Sequence, residues 1–274
     1  MRRRVVVTGL GAVSGLGLNV AQFWKALRAG RCGFATLRIL PSDKVRVRVG
    51  AEVPDYYPER HFGPDDLPLL DRFSQLALIA AREAIADAGL TAKSSDLASG
   101  AVVLGTGCGG KETDEQTYAR LYAKGASRVS PLTIPRGMPS AAASQLSMHL
   151  GICGPTFSVT SACSSANHAI GQALWFVRSG LVELALTGGT DAPFTVGLMK
   201  SWEALRVLSK DTCRPFSHDR SGIVLGEGSG MLVLESLESA RRRGAQIYAE
   251  ICGCGMSSDA GHITQPSAQG AFKA

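Results

Sequence analysis

The sequence predicts an α/β fold, and two observations carry the prediction. Short runs of β-branched and apolar residues alternate with stretches whose apolar positions recur at helical spacing, the pattern of strands and helices stacked in layers. Glycine is frequent, 32 of 274 residues, which suits many tight strand–helix turns.

In order along the chain, residues 5–7 (Val-Val-Val) read as a buried strand. Residues 19–29 read as a helix, with Val20, Phe23, Trp24 and Leu27 at i, i+3, i+4 and i+7 and Gly30 as its stop. Residues 44–68 are polar and interrupted by proline, and read as a loop. Residues 71–88 place Phe73, Leu76, Ala77, Ala80, Ala84 and Ile85 on one helix face. Residues 100–104 form a strand ending in the turn Gly105-Thr106-Gly107-Cys108-Gly109-Gly110. A small-residue helix over 140–150 leads to a strand over 156–161 and a helix beyond Cys163. Strands follow at 184–186 and 230–234, a short helix at 237–243 and a last strand at 249–256. Strand–helix alternation predicts a mostly parallel sheet with helices on its faces.

Composition narrows the function classes. The chain is 45% hydrophobic and 19% charged, enough to bury a sizeable core. No signal peptide and no run of 18 apolar residues is visible, so no membrane span is expected. Seven cysteines lie at 32, 108, 153, 163, 213, 252 and 254 without a Cys-x-x-Cys pair. Free thiols in a reducing cytoplasm are expected, and no metal site. Net charge is +6, and no acidic residue precedes Asp43. A basic face favours an acidic partner. No nucleic-acid motif or aromatic-interleaved basic stripe accompanies it. Gly9-x-Gly11 after a strand invites a dinucleotide reading, but Ser14 stands where the fingerprint needs glycine, and the required acid is missing.

Cys163 is the most informative residue. It ends the strand-like run Thr156-Phe157-Ser158-Val159-Thr160-Ser161-Ala162-Cys163. A helical pattern follows, with Ala166, Ile170, Ala173, Leu174 and Val177 on one face. A cysteine at such a turn meets unpaired N–H groups and the positive end of the helix dipole, which favour a thiolate. A thiolate is a nucleophile at neutral pH. A buried structural thiol is the competing reading.

Val159-Thr160-Ser161-Ala162-Cys163-Ser164-Ser165-Ala166 resembles the active-site segment of elongating β-ketoacyl-[acyl-carrier-protein] synthases, of the thiolase-like superfamily. Val5-Val6-Val7-Thr8-Gly9-Leu10-Gly11-Ala12-Val13-Ser14 resembles the family's opening strand and turn, and Leu150-Gly151-Ile152-Cys153-Gly154-Pro155 its lead-in to the active-site strand. Thr187-Gly188-Gly189-Thr190-Asp191-Ala192 resembles the Gly-Gly segment that follows. The most specific matches are Arg214-Pro215-Phe216-Ser217-His218-Asp219-Arg220-Ser221-Gly222 and Leu225-Gly226-Glu227-Gly228-Ser229-Gly230.

The resemblance implies a thiolase-like layered αβαβα fold. Residues 1–248 would form the N-terminal ketosynthase domain, and 249–274 the start of an incomplete C-terminal domain. It implies an acyltransferase of fatty-acid or polyketide-type synthesis, without a cofactor, that carries an acyl group on Cys163 and condenses it with malonyl-carrier protein. Acyl carrier protein and a second copy of the chain, in a homodimer, are the implied partners. Cys108 and Met138 would line the acyl pocket, Met138 from the partner subunit. His262 and Thr264 would lie near the acyl-pantetheine site, and Arg206 would meet the carrier protein. One departure is Pro64-Asp65-Asp66-Leu67-Pro68, acidic where the family often shows a basic cluster.

The family's two catalytic histidines belong to His-Gly-Thr-Gly-Thr and Asn-Ser-x-x-Gly-Gly motifs. None of His61, His149, His168, His218 and His262 lies in either context. The expectation is a truncated ketosynthase that keeps the nucleophile and lacks the decarboxylation machinery. A non-catalytic subunit that only dimerises is the alternative. A coenzyme A thiolase of the same superfamily fits the Arg214–Gly222 match less well.

Overall fold

A computed structural model describes residues 3–41 and 43–274. The strands are β1 (Val5–Ser14), β2 (Ala35–Thr36), β3 (Val49–Gly50), β4 (Ala101–Gly105), β5 (Thr156–Val159), β6 (Leu184–Asp191), β7 (Gly228–Ser236) and β8 (Ala249–Glu250). The helices are α1 (Val20–Arg28), α2 (Arg72–Asp87), α3 (Ser95–Ala98), α4 (Lys111–Tyr118), α5 (Thr133–Gly137), α6 (Ala141–Leu150), α7 (Ser165–Ser179), α8 (Val196–Ala204), α9 (Leu237–Arg242) and α10 (Ala268–Lys273). A six-stranded sheet runs β5-β4-β6-β7-β1-β8, and β2 pairs with β3 apart from it.

The expected mostly parallel sheet is corrected. β5, β4 and β6 are parallel, but β6–β7, β7–β1 and β1–β8 are antiparallel. The long excursion between β6 and β7 lets the chain re-enter the sheet in the opposite direction. Helix alternation alone does not exclude such a return.

Strand alternation divides the core between two faces. Val102, Leu104, Leu186 and Val233 pack under α2 and α6. Ala101, Val103, Ala185 and Leu234 pack under α7. β1 crosses from one assignment to the other. Val5 and Val7 join the α7 face and Val13 the α2 face, because the register shifts between Val7 and Gly9.

The glycines of Gly9-x-Gly11 serve helix packing. A Cβ on Gly9 would lie 2.1 Å from the Ala84 carbonyl oxygen, and one on Gly11 1.8 Å from that of Ala80. Helix α2 therefore lies directly on β1.

Several boundaries differ from expectation. β1, β6 and β7 extend well beyond the short apolar runs predicted for them. The last strand shortens from 249–256 to Ala249–Glu250. The 44–68 loop holds β3 and two 3₁₀ turns, Pro58–Arg60 and Leu67–Leu69. Among the described residues no helix is long and apolar enough to cross a membrane.

Candidate active site

Cys163 is exposed on the turn between β5 and α7, two residues before the helix begins. Ala162 just before it has φ +54°, a left-handed conformation that costs a non-glycine residue about 1–2 kcal/mol. The turn keeps that conformation because several bonds converge on it. Ser165 Oγ accepts the Ser161 N–H at 2.8 Å and donates to the Ala162 carbonyl at 2.6 Å, with the Thr106 carbonyl 3.2 Å away. Ser164 Oγ donates to the Ser161 carbonyl at 2.7 Å. Ser161 Oγ lies 2.9 Å from His168 Nδ1, reached from the first turn of α7. The Cys163 N–H meets no acceptor among the described residues, so it is free to face a carbonyl oxygen.

The helix start is seated on the sheet by glycine. A Cβ on Gly105 would lie 2.4 Å from Ala166 N, and one on Gly189 2.7 Å from Ala166 Cβ. Beyond Gly105 the turn Thr106–Gly110 is held by one carboxylate. Asp191 Oδ1 accepts from Thr106 Oγ1 at 3.0 Å and from the Cys108 N–H at 2.9 Å, and Asp191 Oδ2 takes the Gly107 N–H at 3.0 Å. Burial, then the Asp191 charge, push the Cys108 thiol up to about 11. Cys108 is therefore a protonated, half-buried thiol at neutral pH.

A cleft of about 720 Å³ opens beside Cys163. Its walls are mostly apolar: Leu10 and Ala12 of β1, Phe23 of α1, Ile170 of α7 and Leu232 of β7. Glu227 also lines the cleft, with its side chain buried. It pairs with Arg72 through two bonds of 2.6 and 2.7 Å and accepts the Val53 N–H at 2.9 Å. The Tyr56 ring covers the Arg72 guanidinium, 4.7 Å from its centroid. No histidine among the described residues lines the cleft.

The predicted site residues fall into three places. Cys163 lies at the cleft, and Cys108 lies on the facing turn, where a Cβ on the neighbouring Gly107 would lie 3.6 Å from the Ala162 carbonyl oxygen. Met138 follows α5, and that stretch meets the same turn where the Gly110 N–H bonds the Gly137 carbonyl at 3.1 Å. Arg206 is exposed just past α8, with φ +59°. His262 and Thr264 lie elsewhere, on an exposed segment where the Thr264 N–H donates to His262 Nδ1 at 3.1 Å. That segment forms its own shallow hollow, and the structure does not bring it to Cys163.

Sequence reasoning singled out neither Asp191 as the anchor of the Cys108 turn nor Ser161 and Ser165 as the frame of Cys163; His168, five residues beyond Cys163, reads from the sequence as a helix residue with a structural partner, and that partner is Ser161. Serine beside a candidate nucleophile at a helix start is the signal that points to Ser165. Among the described residues no group of three or more His, Cys, Asp or Glu is placed to hold a metal ion.

The comparisons with known proteins bear on the family. Residues 2–240 match the family model described as "Beta-ketoacyl synthase, N-terminal domain". Nodulation protein E of Rhizobium sp. (strain N33) is 46% identical over 270 residues, covering 98% of this chain and 67% of that protein. 3-oxoacyl-[acyl-carrier-protein] synthase 2 of Staphylococcus aureus (strain COL) is 40% identical over 273 residues, covering 98% and 66%. The solved structure titled "The ishigamide ketosynthase/chain length factor" superposes with a TM-score of 0.91 at 37% identity, covering all of this chain and 68% of that one. With a family model spanning most of its length and a strand-to-helix cysteine beside an apolar cleft, the chain belongs to the β-ketoacyl synthase family of condensing acyltransferases.

Proposed function

We propose that Cys163 accepts an acyl group from acyl carrier protein and that the acyl thioester is then condensed with malonyl-carrier protein. The observation that supports this reading most is the exposed thiol at the start of α7, with its own N–H free, beside an apolar cleft. In acyl transfer the Cys163 thiolate attacks the thioester carbonyl, and the Cys163 N–H stabilises the oxyanion that develops. The carrier's pantetheine thiolate then leaves. In condensation malonyl thioester loses carbon dioxide, its enolate carbon attacks the Cys163 thioester, and the Cys163 thiolate departs.

Met138 and Cys108 would bound the acyl chain, Arg206 would meet the acidic carrier protein, and His262 and Thr264 would approach the pantetheine arm. A homodimer follows from β5, an edge strand paired on one side only and without a charged residue, which a twofold mate would cover. Free cysteines and the carrier-dependent chemistry suit a cytoplasmic setting.

A second reading, a non-catalytic dimer partner, draws support from the lack of a histidine on the cleft wall among the described residues. One experiment separates the two. The 274-residue polypeptide is incubated with acyl-carrier protein and the mass of the Cys163 peptide is followed, with Cys163→Ala as control. ¹⁴C-malonyl-carrier protein is then added. Acylation confined to Cys163 is the expected result, with 3-oxoacyl product far below the roughly 1 s⁻¹ of an ordinary enzyme, because this polypeptide carries the acyl-transfer step while condensation also needs the family's two histidines. Absence of acylation would favour the second reading.

A further inference from the structure

His168 is a residue for which the condensation chemistry has no use, yet its ring is fixed. It rises from the first turn of α7 and turns back to Ser161, with Nδ1 2.9 Å from Ser161 Oγ. Ser161 is the last residue before the left-handed Ala162, and Cys163 comes next. The Ser161 backbone is held at both ends, its N–H by Ser165 Oγ at 2.8 Å and its carbonyl by Ser164 Oγ at 2.7 Å. The Ser164 proton is thereby engaged, although Ser164 Oγ also lies 3.1 Å from Ser161 Oγ. The Ser161 hydroxyl is thus held between two partners, His168 Nδ1 at 2.9 Å and Ser164 Oγ at 3.1 Å.

From this geometry we infer that His168 is a positioning residue: by its hydrogen bond with Ser161 Oγ it locks the residue that precedes the strained Ala162, and so sets the direction in which Cys163 Sγ faces the cleft. It touches no reacting atom and acts only through Ser161. The inference builds on the proposal that Cys163 is the acyl acceptor, but its test does not need turnover. A free Ser161 side chain would let the turn relax toward unstrained conformations, and Sγ would sample directions away from its helix-start donors.

The test is the rate of Cys163 alkylation by iodoacetamide, read by mass spectrometry, with exposed Cys32 in the same molecule as internal standard. His168→Ala is expected to slow Cys163 about tenfold relative to Cys32, the rate equivalent of one lost hydrogen bond. His168→Asn presents an amide near the place of Nδ1 that can accept from or donate to Ser161 Oγ, and is expected to restore the rate to within about threefold, because the bond returns. Ser161→Ala should slow Cys163 as much as His168→Ala, and the double variant no more than either, since both remove one bond. The inference is overturned if His168→Ala leaves the ratio unchanged, if His168→Asn fails to rescue it, or if the double variant sums the two losses. Because the ratio is compared between variants, it is informative whatever the wild-type rate. A Cys163 no faster than Cys32 in wild type would instead count against the nucleophile proposal.

Discussion

The turn that carries Cys163 and the segment that carries His262 are held in different ways. Around Cys163, Ser161, Ala162, Ser164 and Ser165 bond one another, α7 and the Thr106 turn, and Gly105 and Gly189 bring the helix onto the sheet. From residue 252 onward nearly every residue is exposed, with Gly270 the exception. This segment lies along α7, where Cys254 Sγ fills the space a Cβ on Gly171 would need, and Arg178 donates to the Ile251 and Cys252 carbonyls. His262 bonds only within its own loop. A side chain is placed by the number of independent bonds that fix its backbone, and by that measure Cys163 is aimed and His262 is not.

The largest effect expected from this contrast is at Cys163. Cys163→Ala should reduce acyl transfer from carrier protein by at least about 10³-fold, measured as radiolabel retained on the protein. Residual labelling on another cysteine at a comparable rate would show that the aimed turn is not the acceptor. Next comes the scaffold. Glu227→Ala strands the mostly buried Arg72 charge and should cost about 3–5 kcal/mol in urea unfolding. Glu250→Ala removes the partner of Arg4 in the exposed region and should leave the unfolding midpoint unchanged. Equal losses in the two variants would erase the contrast.

Smaller again is the strain itself. Ala162→Gly should raise stability by about 0.5–1 kcal/mol, the left-handed penalty less the extra freedom of glycine in the unfolded chain. A fall in stability would mean that the clasp relieves Ala162 rather than constraining it. The smallest effect is at His262, where His262→Ala should change Cys163 alkylation less than about twofold, the scatter expected for an exposed loop substitution. A large change would mean that the segment reaches the cleft in solution and would sharpen the comparison against its present form.

Much of this was legible in the residues. The strand-to-helix setting of Cys163, the helices over α1, α2, α6 and α7, and the family resemblance all come from apolar spacing and motif order. What was not legible has a common physical source. β6 and β7 run through Gly188, Gly189, Gly228 and Gly230, residues whose low strand propensity argues against strands. Their role is close approach, since a Cβ on Gly188 would meet the Gly230 carbonyl oxygen at 2.0 Å. The same holds for Gly9 and Gly11, which invite a nucleotide reading and in fact admit α2. The antiparallel return of β7 and the anchoring of the Cys108 turn by Asp191 depend on pairings across long stretches of chain, which local patterns do not encode. The polar frame of Cys163 is local, but serines read as solvent-facing until their bonds are seen.

The seat under α7 has one more consequence. With no side chain at Gly105, the Cys163 sulfur stands at a height above the sheet set by bare backbone contact. A single added methyl there would act like a shim beneath a tool, lifting the whole helix start and with it the sulfur, though neither Cys163 nor any residue bonded to it had been altered. If Cys163 is the acyl acceptor as proposed, tolerance to substitution is limited at a position that performs no chemistry, and a search for inactivating changes confined to polar residues would overlook it.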